Sequence, residues 1–514
     1  MSRVAMRSLP STKETLVAYP VESAMFACSS SQTAPAFAAN PPCFCHSPLF
    51  VRLNSALTRK ALLQPILAAS GSSKGAQAIG SKKVTAPGVT SVPSAPVVFT
   101  NVRIFDGRSD KLHTGLRVRV EGETIKAIEP AEHPTVTGAV TVDGKGRTLM
   151  PGLIDAHWHA MFAAIPLSVL LTADVGYINH IAAAEAERTL MRGFTSVRDM
   201  AGPSFGLKRA IDEGVIRGPR IWPSGAMISQ TSGHGDFRFT YEIPAARNAP
   251  LSRLDAIGCG TIGDGVDEVL RRAREQLMLG ASQLKLAAGG GTASNYDPLD
   301  SSQYTEAEFR AAVDAAENWG TYVAVHAYTP RAIRTAIKAG VRSIEHGQLM
   351  DEATAELIGE KDAWLSAQPF LNDEDAKPYP KGSPNRAKFL QIVQGTDIAY
   401  GLAIKHKLKT AWGTDTLFDQ KLAARQGAQL AKMRRWYAAA EVLKMATRIN
   451  GELLAMSGPR NPYPGQLGIV EVGALADLLV VDGDPISNLD LVADPHKNFL
   501  MIMKGGQVFK NALL

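Results

Sequence analysis

The chain has 514 residues, 45% hydrophobic and 20% charged, so it can bury a large core and has the composition of a globular protein. The net charge of +6 lies at one end: residues 1–100 hold nine basic and two acidic residues, a charge of +7, which leaves −1 for the remainder. The body therefore lacks the basic excess expected of a nucleic-acid-binding protein, and no apolar run reaches the ~18 residues of a membrane span.

Residues 1–93 differ from the rest of the chain. They are rich in Ser, Ala and Pro and show no sustained periodicity, which predicts a disordered or cleaved tail. Arg59–Lys60, the apolar Ala61–Ala69 and the small residues Ala76–Ala78 have the layout of a secretory signal, although it begins late and contains Pro65. Export, a transit peptide, a downstream start codon and disorder in a cytoplasmic protein all stay open. Three of the four cysteines lie in this tail, so the body cannot depend on disulfides.

Short strand-like segments separated by turns follow in residues 94–150 and return within residues 441–514, after a helix at Ala438–Ser457. The pattern of the first group predicts an antiparallel sheet. We expect the two groups to form one small β-sandwich domain.

Between them, residues 151–440 alternate strand and helix, which predicts an α/β fold in the form of a TIM-like (β/α)8 barrel. Thr305 with Glu308 forms a capping box, and Thr329–Pro330 begins another helix. The predicted strands end at His159, Asp199, Gly225, Ala288, Ala327, Gly347, Gln368 and Asp415.

The first of these strands ends in two histidines, His157 and His159, that are one residue apart. Alternate side chains of a strand point the same way, so both imidazoles face one side while Trp158 faces the other. Two imidazoles at a strand end can bind one metal ion, although the dipeptide alone could equally be a strand end without function.

The active site of such a barrel lies at the C-terminal ends of its strands, and several of these ends carry metal-ligand residue types. Each residue alone has a structural explanation, such as a packed histidine, a lysine that extends to solvent or a helix cap. Together they indicate a metal site. The set comprises His157, His159, Lys285, His326, His346 and Asp415.

This set resembles the amidohydrolase superfamily, and the resemblance covers residues 97–510. It rests on the segments Pro151–His159, Ile344–Gly347, Gly413–Asp415 and Gly473–Leu478. The resemblance implies two divalent metal ions, with zinc expected, bridged by a carboxylated Lys285. It further implies that His157, His159 and Asp415 bind one metal and that His326 and His346 bind the other. Asp415 would also transfer the proton between water and leaving group.

A finer resemblance to Xaa-Pro and Xaa-Arg/Lys dipeptidases and ochratoxin amidases rests on Ser224–Asp236, Lys285–Gly290 and His326–Tyr328. It implies cleavage of a small-molecule amide next to a C-terminal amino acid. His234 and Tyr328 are then candidates for polarising the carbonyl or holding the substrate carboxylate, against structural roles in a loop and in packing. The acidic residues 373–375 could attract a basic substrate or form a solvated charge run.

Two alternatives stay open at this point. A cyclic-amide hydrolase of the imidazolonepropionase type, or a deaminase, shares much of the motif set, but a one-metal deaminase does not need Lys285. A non-catalytic assembly protein would lack several ligand positions, all of which are filled here. A homo-oligomer is expected from the resemblance, and no nucleic-acid or membrane partner is expected.

Overall fold

The computed structural model describes residues 95–134, 136–243, 250–377 and 379–513. The predicted tail at residues 1–93, with its candidate targeting segment, lies outside the described residues. Within the described ranges, no helix combines the length and apolar character needed to cross a membrane.

The strands near the two ends of the described chain form one sheet, and the strands in its middle form parallel sheets. In chain order they are β1 (Val97–Ile104), β2 (Leu116–Glu121), β3 (Thr124–Pro130), β4 (Val140–Pro151), β5 (Leu153–Trp158), β6 (Phe194–Asp199), β7 (Arg220–Pro223), β8 (Met227–Ser229), β9 (Gly260–Ile262), β10 (Leu284–Ala287), β11 (Val323–Ala327), β12 (Ser343–His346), β13 (Trp364–Ala367), β14 (Lys409–Trp412), β15 (Leu478–Val481), β16 (Phe499–Lys504) and β17 (Gln507–Asn511).

Helices follow most of the middle strands. They are α1 (Leu167–Thr172), α2 (Val175–Met191), α3 (Phe205–Asp212), α4 (Arg253–Ala256), α5 (Val266–Leu279), α6 (Glu306–Asn318), α7 (Pro330–Lys338), α8 (Glu352–Glu360), α9 (Pro384–Lys405), α10 (Gln420–Ala424), α11 (Gln426–Ala431), α12 (Ala439–Lys444), α13 (Asn450–Ala455) and α14 (Pro495–Asn498). A π-helical turn, Met445–Ile449, joins α12 to α13, so the predicted helix at 438–457 is present. The predicted capping box of α6 is also present.

The terminal strands form one seven-stranded sheet in the order β17–β16–β15–β4–β1–β2–β3. Strands from both ends of the chain thus meet in one sheet. Our prediction of an antiparallel sheet is wrong at one pair, because β1 and β4 run parallel. The connection after β3 leads back to the end of the sheet at which β1 begins. Strand β4 therefore starts beside the start of β1 and runs parallel to it.

The middle strands form parallel sheets in the orders β5–β6–β7 and β14–β13–β12–β11–β10–β8–β9. All eight predicted strands are present, whereas β8 and β9, three residues each, were too short for periodicity to reveal. The fold is therefore mixed α/β with parallel sheets. Closure into an eight-stranded barrel and a second layer that would make the terminal sheet a sandwich stay predictions.

The terminal sheet and the parallel sheets join between β4 and β5, immediately before the histidine pair. Gly152 separates β4 from β5, and a Cβ atom there would lie 2.2 Å from the Thr195 hydroxyl, so the close approach requires glycine. The side chains of β5 and of β10–β13 are buried throughout, as expected of parallel strands covered by helices. The site is thus built on rigid elements.

Candidate active site

A pocket of about 770 Å³ opens at the C-terminal ends of the parallel strands. All eight of the site residues predicted from the sequence line it, although they span more than half of the described chain. They are His157, His159, His234, Lys285, His326, Tyr328, His346 and Asp415.

Asp415 lies against both histidines of the first strand. Its Oδ1 atom is 3.0 Å from Nε2 of His159 and 3.4 Å from Nε2 of His157. The potential ligand atoms of the three residues lie within 4.8 Å of one another, and all three residues are buried. This group can hold a single metal ion.

The two strand ends that carry this group are tied together by Asp155. Its carboxylate accepts hydrogen bonds from the backbone N–H of His157 (3.0 Å) and from the Thr414 hydroxyl (2.9 Å). Gly413 makes the approach sterically feasible, because a Cβ atom there would lie 2.5 Å from His157. Asp155 therefore sets the spacing between the histidine pair and Asp415.

His326 and His346 stand beside this group, with ring centroids 4.5 Å apart, and His346 is 5.0 Å from His157. The Nδ1 atom of His346 contacts the Gln368 side-chain oxygen at 2.6 Å. Lys285, from the neighbouring strand β10, is almost fully buried and faces the same pocket.

Burial sets the protonation states of the cluster. It lowers the pKa of His157 to about 4 and those of His326 and His346 well below the usual value, so these imidazoles are neutral and have free lone pairs. Burial also lowers the pKa of Lys285 to about 8, which increases its neutral amine fraction. Burial opposes ionisation of Asp415, but the Lys377 ammonium and the hydrogen bond with His159 hold its pKa well below the usual range.

These donors fit a divalent metal ion. Neutral imidazoles and an ionised carboxylate are the ligand types of zinc sites, and the Nδ1 atom of His159 is buried without a hydrogen-bond partner in the described chain. His346 (φ 81°) and Asp415 (φ 51°) also have left-handed backbone conformations, which are costly for residues other than glycine and concentrate at functional sites.

Glu345 lies within the motif Ile344–Gly347 but has no role in the sequence prediction, and the structure places it against the cluster. It accepts a hydrogen bond from Nδ1 of His157 at 2.8 Å, and its two carboxylate oxygens both accept from Nη2 of Arg198, at 2.7 and 2.8 Å. Both side chains of the ion pair are fully buried. A carboxylate that fixes the ring of a histidine ligand is a recurrent feature of metal sites. The signal in the sequence was a charged residue inside an apolar strand.

His234 and Tyr328 complete the wall of the pocket beside His326. The ring of His234 stacks on that of His326 at 4.0 Å, and its Nδ1 atom is 2.7 Å from the Ser294 hydroxyl. Tyr328 meets His326 edge-on at 4.9 Å. Burial raises the pKa of Tyr328 well above its usual value, so its hydroxyl stays protonated.

One wall of the pocket is apolar. It comes from the segment after β5, from helix α1 and from the segments around β8, β9 and β14. Its main side chains are Phe162, Leu167, Leu170, Met227, Phe237, Leu254, Leu417 and Phe418. This wall has the chemistry to contact a bulky apolar group of a ligand.

Some residues near the pocket line it, and others do not. Trp158 packs beneath Arg192 and does not line the pocket, in agreement with its predicted outward direction. The acidic run at 373–375 is paired with Arg425 and Lys432, so the protein's own cations occupy it. Lys377, which no sequence pattern indicated, lines the pocket.

The chain resembles known proteins in both sequence and structure. Residues 148–509 match the model of the Amidohydrolase family. Ochratoxinase from Aspergillus niger is 32% identical over 385 residues, 70% of this chain and 75% of that protein. A prolidase solved with N-methylphosphonate-L-proline superposes with a TM-score of 0.73 at 34% identity, covering 81% of this chain and 100% of that one. An Xaa-Pro dipeptidase with bound methionine gives 0.70 at 26%, covering 81% and 100%.

Proposed function

Because the chain belongs to the amidohydrolase family and is a hydrolase acting on amide bonds, we propose that it cleaves the amide to a C-terminal amino acid. The substrate would be a dipeptide, an N-acyl amino acid or an ochratoxin-like amide. The observation that carries the proposal is the convergence of His157, His159, Asp415 and the remaining candidate ligands in one buried pocket.

Under this proposal the ligands divide between two metal ions, with zinc expected. His157, His159 and Asp415 would hold the first, His326 and His346 would hold the second, and Lys285, carboxylated on its neutral amine, would hold both. When bound, two divalent ions supply an activated water and polarise the scissile carbonyl. The depressed pKa of Lys285 supports carboxylation, because CO₂ reacts with a neutral amine.

The side chains around the cluster would transfer protons and donate hydrogen bonds to the substrate. Asp415 is ionised and can accept the proton of the attacking water and pass it to the leaving nitrogen. His234 has Nδ1 committed to Ser294, which leaves Nε2 available to the substrate carbonyl. The protonated hydroxyl of Tyr328 can donate a second hydrogen bond to the substrate.

The apolar wall supports a substrate with a bulky apolar group. Phe162, Leu254 and Phe418 contribute large side chains to it, and Cys259 acts there as a small apolar residue because burial keeps its thiol protonated. A purely polar substrate would leave this surface uncovered.

The test measures bound metal and hydrolysis in the zinc-loaded full chain. The panel contains N-acyl amino acids, ochratoxin A and Xaa-Pro, Xaa-Arg and Xaa-Leu dipeptides. We expect about two metals per chain and release of the C-terminal amino acid. We expect Lys285→Ala to lose metal and at least about 10³-fold in rate, because it removes the shared ligand.

The control variant Lys338→Ala alters an exposed lysine of α7 and should behave like the wild type. Two bound metals without release of an amino acid would redirect the assignment towards cyclic amides. An absence of bound metal would contradict the catalytic proposal itself.

A further inference from the structure

Resting on the proposed function, we propose that Lys377 binds the carboxylate of the substrate's C-terminal amino acid. This residue would make the enzyme selective for amides that end in a free carboxylate over the corresponding carboxamides. Lys377 lies in the loop between β13 and α9, outside every motif that predicted the site.

The ammonium group of Lys377 points into the pocket without a hydrogen-bond partner in the described chain. Its side chain is 17% exposed, and its nearest anion is Oδ2 of Asp415 at 3.9 Å, beyond hydrogen-bonding distance. The other neighbour is the ring of Phe370, whose centroid is 5.8 Å away. A mostly buried ammonium group whose N–H donors make no hydrogen bond to the protein has the chemistry to bind an anionic ligand.

The position of Lys377 matches the geometry of the proposed reaction. Oδ1 of Asp415 faces the two histidines, whereas Oδ2 faces Lys377. The carboxylate carbon of a terminal amino acid lies one residue repeat, about 3.5 Å, from the scissile carbonyl carbon. With the scissile bond beside Asp415, the carboxylate is therefore within reach of the ammonium group.

Other lysines and arginines near this loop already have partners. Lys388 donates to the backbone oxygens of Gly291 and Asp297 at 3.1 and 2.7 Å. Arg425 and Lys432 pair with the acidic run at 373–375. Apart from the histidines and Lys285, Lys377 is the basic residue that lines the pocket within the described ranges.

The experiment compares wild type with Lys377→Met, which keeps most of the length of the side chain and removes its charge. Calorimetry measures binding of the product L-phenylalanine and of its carboxamide to the zinc-loaded full chain. Steady-state kinetics use N-acetyl-L-phenylalanine and its carboxamide. Lys381→Met, an exposed lysine of the same loop, is the matched control.

We expect Lys377→Met to weaken L-phenylalanine binding and to raise KM for the free acid by about 10- to 100-fold. Metal content, binding of the carboxamides and KM for the carboxamide should stay within about threefold of the wild type, because a carboxamide carries no charge for Lys377 to pair with, and Lys381→Met should change nothing.

Two kinds of result, one in binding and one in kinetics, would overturn the inference. One is unchanged amino-acid binding in Lys377→Met, or a wild type that binds acid and carboxamide equally. The other is an equal fall in kcat for both substrates at constant KM, which would make Lys377 a positioning residue for Asp415. In the second case the proposed function stands, because metal content and hydrolysis by the wild type test it separately.

Discussion

Glu345 shows how a single buried residue controls the geometry of the cluster. Burial alone would raise its pKa, but Arg198 and His157 hold that pKa well below the usual value, so the carboxylate stays charged in the interior. It thereby holds Nδ1 of His157 and leaves Nε2 directed towards Asp415. The ion pair with Arg198 is thus connected directly to a proposed metal ligand.

We expect Glu345→Gln to weaken zinc affinity by about 10- to 100-fold, because the ring of His157 loses its charged acceptor. The free energy of unfolding should fall by about 3–5 kcal/mol, since Arg198 is left without its buried counter-ion. Competition with a zinc-binding dye and urea unfolding measure the two effects.

The control for this variant is Glu213→Gln, which removes an exposed carboxylate paired with Arg209. Surface ion pairs contribute little, so zinc affinity and stability should be close to those of the wild type. Unchanged zinc affinity in Glu345→Gln would show that the contact does not position His157.

At the scale of elements, the loop between β10 and α6 forms the wall on which His234 rests. Gly291 gives its backbone N–H to Asp297 at 2.7 Å, and the ring of His234 lies directly over it. A Cβ atom at position 291 would come within 2.1 Å of that ring. Glycine at position 291 therefore makes room for the catalytic candidate His234.

Gly291→Ala should displace the His234 ring and lower kcat/KM by about 10- to 1000-fold while zinc content stays at the wild-type level. The change is expected in activity alone, because the three atoms nearest to this Cβ position all belong to the His234 ring and none to a proposed metal ligand. Gly401→Ala, in helix α9 with open space around it, is the control and should retain full activity. Full activity of Gly291→Ala would remove His234 from the mechanism.

At the scale of the whole molecule, the cluster joins segments from β5 to β14, so metal binding should stabilise the entire described α/β unit. Removing zinc with a chelator should lower Tm by about 5 °C or more, as expected when a ligand is present at ~10³ times its Kd. Differential scanning calorimetry, with readdition of zinc, measures the shift.

The same experiment on Lys285→Ala should show little response to the chelator, because the shared ligand is absent. An identical Tm for the treated and untreated wild type would contradict a resident metal ion. The predicted homo-oligomer is a separate question, which sedimentation of the same sample answers.

Local patterns in the sequence determined the parallel strands, the helix boundaries and the set of residues that could bind metal. A strand repeats every two residues, so His157 and His159 had to share a face, and the capping box at Thr305 acts within one helical turn. Because the active site of such an α/β fold lies at the C-terminal ends of its strands, Lys285, His346 and the other predicted ligands were expected to lie close together.

Only the tertiary structure decided the features that join distant segments. Arg198 and Glu345 are 147 residues apart, and the parallel pairing of β1 with β4 follows from the path of a connection rather than from strand periodicity. Lys377 lies in a loop without a repeating pattern, so its place beside Asp415 could not be predicted. Periodicity and capping act over a few residues, whereas these contacts arise from how complete elements pack.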